Sequence, residues 1–90
     1  MTERPDPATL LEFPCHYQFK AVGMAGDAFR DAVVATIAHH VAVAADAVRS
    51  RPSGKGRYQS VSVLVTLHSF AQLKDIYAGL RQVRGLKMLL

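Results

Sequence analysis

One cysteine stands in the 90 residues, and there is no tryptophan. With Cys15 alone an intramolecular disulfide is excluded, so the fold must rest on packing, and a reducing cytoplasm is its expected home. No Cys-x-x-Cys, His-Glu-x-x-His or calcium-loop pattern occurs, so the expectation is that no metal or cofactor is needed. The longest apolar stretch, 32–45, is interrupted by Thr36, His39 and His40. It falls short of the ~20 residues that a membrane span requires. Residues 1–7 are polar and proline-rich and lack the apolar run of an export signal. Acidic residues are scarce: seven Asp and Glu face eleven Lys and Arg, for a formal charge of +4. That excess biases the chain toward anions without declaring nucleic acid.

What is present is an ordinary globular mixture, half apolar and one fifth charged, which argues against disorder. A chain this size buries only about 60–65% of its unfolded surface, enough for one modest core and too little for an elaborate active site. Residues 1–9 read as a flexible N-terminal segment and 10–90 as a single domain. Asp6 followed by Pro7 looks like a cap and first helical position, so a short helical turn over 6–12 would lay Leu10, Leu11 and Phe13 on the core until Pro14 stops it.

Over 15–22 Tyr17, Phe19 and Ala21 alternate with His16, Gln18 and Lys20, the mark of a half-buried strand that Gly23 and Gly26 close. Asp27 is placed to cap a helix in which Phe29, Ala32, Val33, Thr36, Ile37 and His40 form one stripe. The alanine-rich 41–50 segment reads as an edge strand ending near Pro52, since an edge tolerates proline. Residues 52–56, Pro-Ser-Gly-Lys-Gly, form a turn. Val61, Val63, Val65 and Leu67 then alternate with Ser60, Ser62, Leu64 and Thr66, a clear strand. Ser69 with Gln72 fits a capping box, and Leu73, Ile76, Tyr77 and Leu80 follow at helical spacing. After Gly85 a terminal strand over 86–90 would put Leu86, Met88 and Leu90 on one side.

Strand, helix, strand, strand, helix, strand specifies an α+β fold. The expected architecture is a ferredoxin-like βαββαβ sandwich, a four-stranded antiparallel sheet with two helices on one face. The other face stays open and carries His16, Gln18, Lys20, Ser60, Ser62, Thr66 and Lys87, a polar and basic set.

Candidate chemistry is thin. Cys15 and His16 are neighbours on a strand and point to opposite faces, so the imidazole cannot activate the thiol. His39 and His40 lack the i, i+4 spacing of a chelating pair. Arg49, Arg51, Lys55 and Arg57 fall in a stretch free of acidic residues. Glycine amides around Lys55 could form an anion nest, although neither a phosphate-loop nor a dinucleotide fingerprint is complete. The residues expected to contact a ligand or partner are Arg49, Arg51, Ser53, Lys55, Gly56, Arg57, Tyr58 and Ser60. An RNA-binding sheet would present stacking aromatics, and only Tyr58 is available, which counts against nucleic acid.

Three groups of residues resemble the YbeD-like family of small bacterial proteins of unknown function. These are Leu10-Leu11-Glu12-Phe13-Pro14 with Gly23, the run from Pro52 through Lys55, Gly56, Arg57 and Tyr58 to Ser62, and Lys87-Met88-Leu89-Leu90. The likeness extends from about residue 10 to the last residue. It implies a βαββαβ fold similar to ACT-type regulatory domains, a regulatory role, and a gene often beside those of lipoate biosynthesis. It also implies that an exposed edge strand could pair two copies into a homodimer. The resulting expectation is a non-enzymatic cytoplasmic module that binds a small anionic metabolite or a protein partner. The rival reading is a weak RNA- or ribosome-associated protein using the 49–57 patch.

Overall fold

Alternation along residues 15–24 is realised as β1 (Cys15–Met24), whose Phe19 and Ala21 are buried while Gln18 and Lys20 face solvent. A computed structural model describes residues 11–90. The helical turn expected over 6–12 falls mostly outside them; residues 11–14 are a non-helical bend, with Leu11 and Phe13 packed on the core. The flexible segment expected at 1–9 lies outside the described residues altogether.

Helix α1 (Asp27–Ala38) follows and buries Phe29, Val33 and Ile37. Its N-cap is Gly26 and not the expected Asp27, because the chain turns there at φ 107°, a conformation that glycine adopts without a steric penalty. Two carbonyls of this turn are held from the sheet: the Gln59 amide donates to Met24 O (2.9 Å) and Gly26 O (2.6 Å). Asp27 sits in the first turn, where its charge suits the helix dipole, and pairs with Arg30 at 3.3 Å.

Strand β2 (Val48–Ser53) is an edge strand, as expected, but it begins later. Residues 41–44 are irregular and Ala45–Ala47 form a single 3-10 turn. Pro52 lies inside β2, and the turn occupies residues 54–57. Strand β3 (Tyr58–Leu67) buries Val61, Val63, Val65 and Leu67, and helix α2 (Phe70–Leu80) buries Leu73, Ile76 and Leu80. The α2 cap matches its sequence signature. Ser69 Oγ accepts from the Gln72 amide N–H (3.2 Å), and Gln72 Oε1 accepts from the His68 N–H (2.7 Å), one residue earlier than in an ideal capping box. Replacing Ser69 by Ala should cost about 1 kcal/mol. A urea midpoint lowered at unchanged m-value would register it.

Strand β4 (Leu86–Leu89) completes one antiparallel sheet of order β2-β3-β1-β4, the ferredoxin-like arrangement, with both helices against one face. Its expected phase was wrong. Val22 pairs with Met88 but Gly23 with Leu86, so Lys87 is an extra residue in a bulge. Leu86 and Leu89 therefore turn to the core, while Met88 and Leu90 are left exposed. No helix among the described residues is long and apolar enough to cross a membrane.

Candidate functional site

Side chains of paired residues share a face, so the register builds the open side of the sheet row by row. Arg49 pairs with Ser62, and Ser62 with Lys20. One row on, Arg51 pairs with Ser60, Ser60 with Val22, and Val22 with Met88. Because Val61 and Val63 are buried against the helices, these rows face away from them. Between the rows lies an open concavity of about 520 Å³, lined by Gln18, Lys20, Arg49, Arg51, Ser60 and Ser62, together with Ser50. That volume is within the usual range for small-molecule sites.

The eight residues singled out from sequence divide here. Arg49, Arg51 and Ser60 line the concavity. Ser53 and Tyr58 pair in the next row, at one corner of the same face. The Lys87 ammonium lies 5.6 Å from the centre of the Tyr58 ring, a cation–π contact. Lys55, Gly56 and Arg57 belong to the exposed turn beyond the strand ends. That turn runs through three successive positive φ values at Gly54, Lys55 and Gly56, and the Arg57 N–H closes it on Gly54 O at 3.2 Å. Gln18, Lys20 and Ser62 were not among the eight. Only the β1–β3–β2 register brings Lys20 to the two arginines.

Charge is segregated in the described residues. Glu12, Asp27, Asp31, Asp46 and Asp75 all lie off the strands. Ion pairs join Arg30 to Asp27 and Asp31, and among the described residues none neutralises Lys20, Arg49 or Arg51. Three cations beside two serine hydroxyls can bind an anion by charge and by hydrogen bonds, and charge-assisted hydrogen bonds are the stronger kind. Arginine adds a planar fork matched to carboxylate or phosphate.

Other groups that could carry chemistry are dispersed. Cys15 pairs with Leu67 and packs on the core, whereas His16 faces the open side and lies 3.2 Å from Thr66 Oγ1. His39 and His40 stack edge to face just past α1, and the His40 carbonyl accepts from the Gln72 side chain. Among the described residues no three His, Cys, Asp or Glu side chains gather closely enough to hold a metal ion. A second hollow, about 360 Å³, runs along α2 between Phe70, Leu73, Lys74, Tyr77 and Arg81.

Comparison with known proteins agrees on the fold and names no activity. Residues 8–90 match a family described as a protein of unknown function, DUF493. A UPF0250 protein of Shewanella loihica is 43% identical over 82 residues, covering 90% of this chain and 91% of that protein. A UPF0250 protein of Neisseria gonorrhoeae is 35% identical over 91 residues, covering 100% of each. Among solved structures, the solution structure of protein HP0495 from H. pylori superposes with a TM-score of 0.66 over 100% of this chain and 98% of that one. At 11% identity that likeness speaks for fold alone.

Proposed function

The chain belongs to the DUF493 family, the UPF0250 or YbeD-like proteins of unknown function, and we propose that it is a non-enzymatic adaptor or regulatory module of the cytoplasm. Its ligand is an anion held on the open face of the sheet. The observation that carries this reading is the concavity in which Lys20, Arg49 and Arg51 converge on Ser60 and Ser62 with no acidic neighbour on the strands. The ligand class is a carboxylate or phosphate, borne by a small metabolite or by a partner molecule. Absence of a nucleophile–base pair at Cys15 and His16 supports a binding role over a catalytic one.

Amide shift perturbation of the labelled protein tests this against inorganic phosphate, amino acids, nucleotides, lipoate and a short RNA. Shifts are expected at Lys20, Arg49, Arg51, Ser60 and Ser62. An Arg49→Ala/Arg51→Ala double variant should abolish them, while Lys55→Ala/Arg57→Ala should leave them in place. If the turn variant is the one that loses binding, the concavity is not the site. The rival RNA reading requires affinity to fall steeply as salt rises, because phosphate contacts release counterions.

A further inference from the structure

Among the described residues Met24, Leu64, Met88 and Leu90 are the most exposed large apolar side chains, at 50%, 49%, 55% and 56%. Register places the first three on the open face of the sheet, and Leu90 follows Met88 there by alternation, its N–H bonded to Lys20 O at 2.9 Å. They do not line the anion-binding concavity. Met24, Val22, Met88 and Leu90 occupy the β1–β4 half of the face, and Arg49 and Arg51 the β2 edge, with Lys20 between them. From the Met24–Tyr58 pair to the Gln18–Leu64 pair is six residues of strand, about 20 Å at the usual rise per residue. The concavity takes up the Gln18 end of that length, whereas Val22, Met24 and Met88 toward the other end lie outside its lining. Val22, Met24 and Met88 are neighbours, and a contiguous exposed apolar patch marks a contact surface; methionine, arginine and tyrosine are the residues that protein interfaces favour.

Resting on the anion-site reading above, we infer that the open face docks an acidic amphipathic helix of a partner protein. Charge complementarity selects the occupant: Lys20, Arg49, Arg51 and Lys87 share the face, and every acidic residue in the described part lies off the strands. About 20 Å of face matches roughly four turns of helix. Apolar residues at i, i+3, i+4 and i+7 would lie on Val22, Met24, Met88 and Leu90, while carboxylates on the adjacent flank reach Lys20 and the two arginines. The docked helix supplies a third layer, covering the sheet face opposite α1 and α2.

Fluorescence anisotropy with two labelled synthetic peptides of about four turns tests this. Each has leucines at i, i+3, i+4 and i+7, and the remaining positions are glutamate in one and lysine in the other. The glutamate peptide should bind, and the lysine peptide should bind at least about tenfold more weakly. Met88→Asp, at an exposed position on which the docked helix lies, should weaken the glutamate peptide by about tenfold or more. The same variant should leave the inorganic-phosphate shifts at Arg49 and Arg51 unchanged, because Met88 is on β4, at the edge opposite β2. Equal binding of the two peptides overturns the inference. So does capture of the face by phosphatidylserine vesicles or oligouridine in place of the peptide. Phosphate shifts that persist while the glutamate peptide fails to bind sink the helix alone; loss of both responses removes the anion site beneath it.

Discussion

Phe19→Ala should leave the protein at the edge of unfolding, with the midpoint of thermal denaturation lower by roughly 15–30 °C. The Phe19 ring is 1% exposed at the centre of the sheet–helix layer. It meets Tyr17 edge to face at 4.9 Å and Tyr77 at 5.1 Å. Truncation removes both aromatic contacts and opens a cavity on a central strand that cannot collapse without moving its neighbours, at a cost of about 3–5 kcal/mol. A domain this small has a total stability near the low end of the usual range of about 5–15 kcal/mol, so the loss is most of what it has. Circular dichroism melting decides the matter; a shift of only a few degrees would mean that the Phe19 pocket closes up.

The Tyr17–Tyr77 pair gives this cluster a pH dependence. The Tyr17 and Tyr77 hydroxyls share a hydrogen bond of 2.7 Å, and the Tyr77 hydroxyl also lies within donating distance of the Leu90 carbonyl (3.2 Å). Burial first, and the hydrogen bond with Tyr17 second, push the Tyr77 phenol far above its ordinary value of 10.0. A raised folded value favours the neutral form. Its stabilising contribution is therefore complete below about pH 10 and declines as the pH rises above that.

Gly23→Val should be as damaging by the opposite route, overpacking. Gly23 is buried, and a Cβ there would run into the Phe29 ring and lie 2.7 Å from the Gly85 carbonyl oxygen. The ring is anchored in the core and the carbonyl is backbone, held by the Met24 N–H at 3.1 Å, so neither can give way cheaply. Expected destabilisation is about 3 kcal/mol or more, measured by urea unfolding. Gly26 supplies the control. Nothing lies within 4 Å of a Cβ built there, but its φ of 107° is costly for any other residue, so Gly26→Ala should lose only about 1–2 kcal/mol. If the two variants proved equally mild, the close approach of β1 to Phe29 and Gly85 would be wrong.

How much of this was legible in the sequence depended on burial. The strands over Tyr17–Phe19–Ala21 and Val61–Val63–Val65 are covered on one face, so apolar and polar residues had to alternate, and the alternation located them. Ser69 and Gln72 announced a helix start because capping is local chemistry. Strand β2 is almost wholly exposed and carries Arg49, Ser50, Arg51 and Pro52 in a row, so no hydrophobic period marks its beginning. The alanines before it fit several conformations, and tertiary context makes Ala45–Ala47 a 3-10 turn. In β4 the apolar residues pointed to the wrong phase because the bulge at Lys87 is a property of the pairing with β1. The site divided in the same way. Arg49 and Arg51 were visible as a cluster, while Lys20, which lies about thirty residues earlier, joins them only through register.

Sheet order also bears on how the chain is made. Strand β1 leaves the ribosome early, yet its partners β3 and β4 are the second-last strand and the last. The β2–β3 hairpin can close as soon as it emerges, whereas β1, with Tyr17 and Phe19 unburied, must wait for β3. Until then the nascent chain offers its most aromatic strand, with both edges bare, to chaperones or to neighbouring chains.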